Sequence, residues 1–311
     1  MNRRSFLSAV AIAPVLAALA ACGDPNVASG TDPTTPGTAP GSVPPGTTPD
    51  TTPDTTPDTT TGTAPPTAPA IAHPTGPDDV VLKLSYEGGF VAPGYLFVNT
   101  PSLLVSGDGR VFTPGVVPAI YPGPLLPTII VRTISEDGMQ VLLGVVQAAG
   151  LMAPPPEYPD RHNVADASTT VLTINAGGAT FVHSAYALGM GDSEAGVRKT
   201  LLDATTALGD LDKVVGDATL EPDAAFVATT YRLQARAVDP TELTGQDLAP
   251  TVVDWPAGAA VVLADATECA RIDATAVGSL FIDAKRNTYF KEGDVVYQLA
   301  VAGVLPADPV C

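Results

Sequence analysis

Basic residues are scarce in this chain. Lys and Arg total 15 of 311 residues against 33 Asp and Glu, for a formal net charge of −18. A surface of that sign repels phosphate backbones and anionic headgroups, which speaks against nucleic-acid binding and electrostatic adsorption to membranes. Histidine and cysteine number three each, and Trp255 is the one tryptophan. No two of the Cys and His residues have the tight spacing of a zinc signature. Ser-x-x-Lys, His-Glu-x-x-His, Gly-x-Ser-x-Gly and EF-hand patterns are missing, so no catalytic or metal-binding class announces itself through a local motif. No unbroken apolar run reaches the ~20 residues of a comfortable transmembrane helix.

What is present begins at the N-terminus. Arg3 and Arg4 form a positive n-region, and Leu7 to Ala21 an uncharged apolar h-region interrupted by Pro14, the order of parts in a signal peptide. Leu19-Ala20-Ala21-Cys22-Gly23 follows. This segment resembles the lipobox of bacterial lipoproteins. The resemblance implies cleavage after Ala21, with the Cys22 thiol as the nucleophile that receives a diacylglyceryl group. Residues 1–21 are then a signal peptide. Removing Arg3 and Arg4 leaves 13 basic against 33 acidic groups, a mature charge near −20. Asn2-Arg3-Arg4-Ser5-Phe6-Leu7-Ser8 also resembles a twin-arginine export motif, although Asn2 and Ser8 depart from the usual Ser/Thr and Lys. A Sec signal with two adjacent Arg is the alternative. The expected location is the outer face of the cytoplasmic membrane, at the cell surface.

Residues 22–79 read as the lipidated Cys22 and a disordered tether. Positions 23–78 hold no Lys, Arg, Phe, Trp or Tyr, and Thr and Pro fill 30 of these 56 positions. Thr47 to Asp58 is a threefold Thr-Thr-Pro-Asp repeat. Such a segment has little to bury, so ordering it cannot offset the lost chain entropy. Fully extended it would reach on the order of 170 Å; as a coil it would average about 40 Å. Dense Thr with Pro also suits O-glycosylation, with a bare spacer as the equal alternative. His73 reads here as a solvated residue.

From Val80 the pattern changes to that of a folded α+β domain. Val80 to Tyr86 alternates as a half-buried strand. Ser106 to Arg110 and Asn175 to Gly178 mark hairpins, and Thr128 to Ile134 reads as a strand. Ser135 caps a helix with Glu136 and Asp137 in its first turn, an apolar face of Met139, Leu142, Leu143 and Val146, and Gly150 as its stop. Ser193 caps a second helix carrying Val197, Leu201, Leu208, Leu211 and Val215. Phe226 to Val238 reads as one long strand with Val227, Tyr231, Leu233, Ala235 and Ala237 on one face. These elements predict a mostly antiparallel sheet with two amphipathic helices on one face, over residues 80–238. Residues 239–311 predict a small C-terminal α+β unit, or an extension of the first sheet. It has a polar stretch over Asp239 to Asp254, a strand over Ala260 to Leu263, a helix near Ala274 to Lys285 capped by Asp273, and a hairpin turning at Glu292-Gly293-Asp294.

With Cys22 consumed by lipid, Cys269 and Cys311 remain to pair. An oxidising compartment favours that bridge, which chain entropy makes worth roughly 4 kcal/mol for a loop of this size. Two free thiols, or an intermolecular bond from Cys311, are the alternatives.

Gly189 to Thr200 echoes a phosphate-binding loop, but Val197 and Arg198 stand between Gly196 and Lys199-Thr200. A P-loop needs its Lys directly after the second Gly, so a glycine-rich turn explains the segment. His162, Asp166 and His183 are the residues that folding could bring together as a metal site or acid–base pair, though their spacing does not demand it. The bland reading makes Asp166 a turn residue, His162 solvated and His183 a sheet-face side chain. Trp255-Pro256 reads as a packing anchor rather than a sugar platform. No cofactor is implied.

The segments Ser85 to Phe90, Gly107 to Val111, Tyr121 to Pro124, Asn163 to Ala167, and Tyr297 with Leu305-Pro306 and Cys311 together resemble a group of secreted actinobacterial lipoproteins to which no activity is assigned. The resemblance covers most of the ectodomain. It implies an address and no catalytic residue. The expected function is a membrane-anchored binding or envelope-interaction protein, with the membrane as partner through Cys22 and an unidentified envelope protein or ligand as the second. The competing expectation is an extracytoplasmic hydrolase built around His162, Asp166 and His183.

These readings predict that Cys22→Ala abolishes lipid labelling and shifts the chain out of the membrane fraction. Replacing Arg3 and Arg4 by Lys is expected to block export by the twin-arginine route. Unchanged fractionation of the first variant, or unchanged export of the second, would remove the corresponding claim.

Overall fold

The computed structural model describes residues 69–92, 94–159, 164–190, 194–216, 219–244 and 248–311. The expected export signal, Cys22, the Thr-Thr-Pro-Asp repeat, His162 and Ser193 lie outside these residues. The described residues fall in a compact unit that runs from Ala64 to Cys311. They form an α+β fold with two sheets. Among them no helix is long and apolar enough to cross a membrane.

Strand β1 (Val80–Glu87) is followed by a one-turn helix α1 (Tyr95–Val98), then β2 (Leu103–Ser106), β3 (Arg110–Pro114) and β4 (Ile129–Thr133). Helix α2 (Glu136–Ala148) leads to the hairpin β5 (Thr169–Ala176) and β6 (Ala179–Tyr186). Helices α3 (Gly196–Leu208) and α4 (Leu211–Val215) precede the two-residue strand β7 (Ala224–Ala225). These strands make a seven-stranded sheet in the order β6-β5-β1-β2-β3-β4-β7, with every pair antiparallel. The β5–β6 turn is Gly177-Gly178, with φ of 62° and 75°. Positive φ at both central residues gives the twist that a two-residue hairpin needs.

Helix α2 forms as its sequence dictates. Ser135 Oγ accepts the Gly138 amide, and Gly138, Met139, Leu142, Leu143 and Val146 are buried. At its end Leu151 N–H donates to Val146 O and Gly150 N–H to Gln147 O, the bond pair of a glycine-stopped helix. Its apolar face joins Leu201 and Leu208 of α3 and Leu82, Leu172 and Ile174 of the sheet in one core. The predicted second helix is two: Gly209 ends α3, and Asp210 caps α4 by accepting the Lys213 amide. Val197, expected in the core, is exposed, and Arg198 is buried in its place.

The second sheet contains β8 (Thr230–Ala237), β9 (Thr251–Asp254), β10 (Ala270–Asp273), β11 (Thr288–Glu292) and β12 (Val295–Gly303). Its order is β10-β8-β12-β11-β9, and β9 runs parallel to β11. The single strand expected over Phe226 to Val238 is therefore shorter: it begins at Thr230 and runs to Ala237 in the second sheet, while Ala224–Ala225, just before the expected strand, pairs with the first. Val227, between them, is exposed. The crossing runs over Gly303, where a Cβ would meet Ala228 Cβ at 2.8 Å. Alternation alone cannot report that a chain changes sheets. Ala260 to Leu263 is not a strand but a loop entering a 3-10 turn, Leu263–Asp265. The expected 274–285 helix is two single turns, α5 (Ala274–Val277) and α6 (Leu280–Asp283), parted by Gly278 at φ 54°. Trp255 is buried, donates Nε1–H to Val261 O, and packs on Phe281 and Phe290.

The chain upstream of β1 lies on the domain, which corrects the tether boundary at residue 79. Ile71 exchanges backbone hydrogen bonds with the Gln140 side chain, and Arg110 donates to Pro77 O. His73 is not solvated: its side chain is 6% exposed. Its Nδ1 donates to Pro74 O at 2.7 Å, and its Nε2 stands 3.2 Å from both Glu136 carboxylate oxygens. A hydrogen bond from Gln140, and then the His73 imidazole, hold the Glu136 carboxyl below its usual 4.5, against the opposing effect of burial. A carboxyl with a depressed folded pKa stabilises fully above its unfolded value and loses that contribution as pH falls through the folded one. Glu136→Gln is therefore expected to lower the thermal midpoint at pH 7 and to flatten its decline below pH 4.5. Parallel midpoint-against-pH curves for the two proteins would contradict this.

Candidate functional site

His183 sits on β6 with no exposed surface. Its side chain points into the helix-facing core because alternate residues of β6 do so. Its Nε2–H donates to Leu151 O at 2.7 Å, and Tyr158 Oη lies 2.7 Å from Nδ1. A carbonyl can only accept, so Nε2 carries a proton, and in the neutral imidazole Nδ1 accepts from the Tyr158 hydroxyl. Burial pushes the Tyr158 hydroxyl above its ordinary value, so it keeps the proton that this bond needs. Both ring nitrogens are thus committed to the chain, and neither is open to a substrate or a metal.

Asp166 is exposed in a turn at φ 58°, and its carbonyl accepts the Phe90 amide. His162 lies outside the described residues. Among the described residues no group of three His, Cys, Asp or Glu could hold a metal ion. The geometry makes His183 a stitch that holds the chain after α2, residues 151–158, against the sheet.

The glycine-rich segment has a different organiser. Arg198 is 1% exposed. Its Nε and Nη2 donate to the Glu194 carboxylate at 2.7 and 2.8 Å, and the guanidinium also reaches Tyr186 O and Ala187 O. Glu194 in turn accepts the Gly189 amide. An anion approaching this turn would meet Glu194 where a phosphate-binding loop offers free N–H groups. The cavity beside it, about 350 Å³, is lined by Glu157, Pro159, Ala195, Gly196, Val197 and Arg198. The Glu194–Arg198 pair was legible as an i,i+4 spacing; its burial was not.

The C-terminus is clamped from two sides. Cys269 and Cys311 stand at disulfide distance, with Cα atoms 5.1 Å apart. Arg271 donates to Asp308 O and Pro309 O, and Arg232 pairs with the Asp308 carboxylate at 3.3 Å. The Arg232 guanidinium also lies 5.0 Å from the Phe97 ring centroid. A second cavity, about 580 Å³, opens beside Phe97 against Gln234 and Glu268.

Among the described residues, the loop between β3 and β4 carries the most exposed apolar cluster in one short stretch. Val116 is 87% exposed, Val117 63%, Ile120 61% and Tyr121 79%. No charged residue occurs between Arg110 and Arg132. The loop is not loose at its base. Gly115 N–H donates to Thr128 O, Arg286 N–H to Gly123 O, and Leu125 N–H to Ala284 O. Leu125 and Leu126 pack into the second core. The tip is thus held out by a rigid base, with exposed Lys285 and Arg286 beside it. Compact monomers seldom present such a cluster without a use for it.

The roles assigned to His183 and Arg198 predict stability effects. His183→Ala is expected to destabilise the fold by about 2–4 kcal/mol, through an unpaired Leu151 carbonyl and a cavity. Arg198→Ala, which strands a buried carboxylate, is expected to cost about 3–5 kcal/mol, whereas Arg198→Met combined with Glu194→Gln should cost markedly less. Denaturant titration measures both. An Arg198→Ala protein as stable as the double variant would contradict the buried-pair assignment.

No known protein family matches this chain, and neither a curated protein nor a solved structure shows significant similarity to it.

Proposed function

We propose that this chain is a lipid-anchored extracytoplasmic protein whose ectodomain binds an envelope protein and performs no catalysis. The reading of its address rests on Arg3, Arg4, the apolar h-region and the Leu19-Ala20-Ala21-Cys22 sequence. The binding reading rests on one observation, the apolar tip of Val116, Val117, Ile120 and Tyr121 held out on a hydrogen-bonded base. Aromatic and branched aliphatic side chains of this kind act as anchors that fill a pocket on a partner. The flanking Lys285 and Arg286 favour an acidic rim on that partner. The hydrolase reading needs His183 as acid or base. That would require breaking its bond to Leu151 or Tyr158 and opening a site that is fully enclosed.

The test places a photo-crosslinking residue at Ile120 of the full chain in intact cells, with Asp203 on the exposed side of α3 as the comparison position. Discrete adducts from position 120, absent from position 203 and lost when Val117→Asp is added, are the expected result. The Val117→Asp protein should keep its thermal midpoint within a few degrees, since that side chain is on the surface. No adduct from position 120, or the same adducts from both positions, would sink the proposal.

A further inference from the structure

The four edge strands of the two sheets are not alike. β7 is two residues long. β9 ends in Asp254, and β10 carries Arg271 and Asp273. Short length and edge charges are the usual devices that stop a sheet edge from pairing with another chain. β6 has neither. It is eight residues long, Ala-Thr-Phe-Val-His-Ser-Ala-Tyr, with no proline and no carboxylate, Lys or Arg. The uncharged run extends from Ala167 to Gly191, with His183 buried inside it.

The hydrogen-bond parity of the β5–β6 hairpin shows which backbone groups of β6 face outward. In a two-residue hairpin the residues flanking the turn, Ala176 and Ala179, are a hydrogen-bonded pair, and such pairs then recur at every second position. Phe181, His183 and Ala185 therefore bond to Ile174, Leu172 and Thr170, their register partners. The Ala187 N–H bond to Ser168 O continues the same parity. Thr180, Val182, Ser184 and Tyr186 must then aim their N–H and C=O groups away from β5. The Tyr186 carbonyl is taken by Arg198. Among the described residues nothing bonds the outward backbone groups of Thr180, Val182 or Ser184, and all three residues are exposed.

We propose that β6 pairs antiparallel with β6 of a second copy of this chain, about a two-fold axis through Val182. This register is self-complementary. Val182 meets Val182 of the copy, and Thr180 and Ser184 meet each other twice. Each pair exchanges two backbone hydrogen bonds, and every outward donor and acceptor from Thr180 to Ser184 is used. A shift by two residues in either direction leaves at least one of the three residues unpaired. Charge selects the same edge. Two copies of a chain with a formal charge of −18 repel each other, and an uncharged edge lets them meet with the least added like-charge contact. Arg198 marks where the pairing stops, since its guanidinium occupies the Tyr186 carbonyl. The proposal does not depend on the loop at 116–121.

The test is sedimentation of the full chain in mild detergent over a hundredfold concentration range. The wild type is expected to sediment at twice the chain mass. Val182→Pro removes one outward N–H and no bond to β5, since proline is tolerated where the edge N–H faces solvent. Ser184→Lys sets a charge opposite Thr180 of the copy. Each is expected to weaken dimerisation at least about tenfold, with the circular dichroism spectrum unchanged. Val182→Cys supplies a second readout. At an antiparallel hydrogen-bonded pair the Cα atoms stand about 5.5 Å apart, within disulfide reach, so this variant should cross-link to its own copy while Val197→Cys on α3 should not. A wild-type monomer throughout, an equal dimer in both surface variants, or equal cross-linking from positions 182 and 197 would overturn the proposal. So would a wild-type mass that is not a whole multiple of the chain, the mark of a different protein on this edge.

Discussion

Leu104 and Phe112 lie on the side of the seven-stranded sheet that faces away from the helices, and each is fully buried there. The helices cannot cover that side, since α2, α3 and α4 already pack with Val81, Leu103, Val105 and Val111 on the other. The covering groups are Leu305, which follows the last strand, and Phe226, which meets Phe112 edge-on at 5.3 Å between ring centroids. Both come from the part of the chain that builds or enters the second sheet. The first sheet is therefore buried on both faces at its centre only when the C-terminal segment is in place. A strand buried on both faces reads as a continuous apolar run rather than an alternation, which is why all four residues of β2 are buried.

That requirement explains where the chain invests its polar contacts. Residues just after Leu305 are held by Arg232, Arg271 and the Cys269–Cys311 pair, so the cover over Phe112 has little freedom to lift. His183 with Tyr158 and Leu151, and Arg198 with Glu194, do the same for the long connections around α2 and α3. A buried polar group without a partner costs more than a partnered one contributes. Each of these side chains therefore specifies one loop position instead of offering chemistry to solvent. His183, one of the three residues that the sequence offered for a polar site, is committed to architecture for this reason.

The surfaces that remain open differ in kind. The loop at 116–121 presents apolar side chains on a fixed base, and recognition there would come from shape and burial. The edge at Thr180–Ser184 presents backbone, and recognition there would come from hydrogen-bond register. They are separated by β5, β1 and β2 in the first sheet, so an edge-paired dimer leaves both apolar loops free. Both belong to the unit that begins at Ala64, with the segment at 69–79 docked onto α2 and β3 as its entry.

Local patterning determined a good deal by itself. The cap, first-turn acids, apolar face and glycine stop of α2 were all legible. So were the hairpins at 106–110, 175–178 and 292–294 and the mostly antiparallel α+β class, because each depends on residues a few positions apart. The candidate pairing of Cys269 with Cys311 followed from counting. Only the tertiary structure decided the rest. It cut the 226–238 strand back to Thr230–Ala237 and spent the residues before it on a crossing between sheets, since that crossing depends on a distant Gly303. It turned Val197 outward and Arg198 inward, since the Tyr186 and Ala187 carbonyls waiting for that guanidinium belong to another element. It also enclosed His183 and left Val182 beside it with open backbone. Alternation along β6 sorts side chains between two faces, but which edge of a sheet stays unpaired is set by strand order, and strand order is a long-range property of the whole chain.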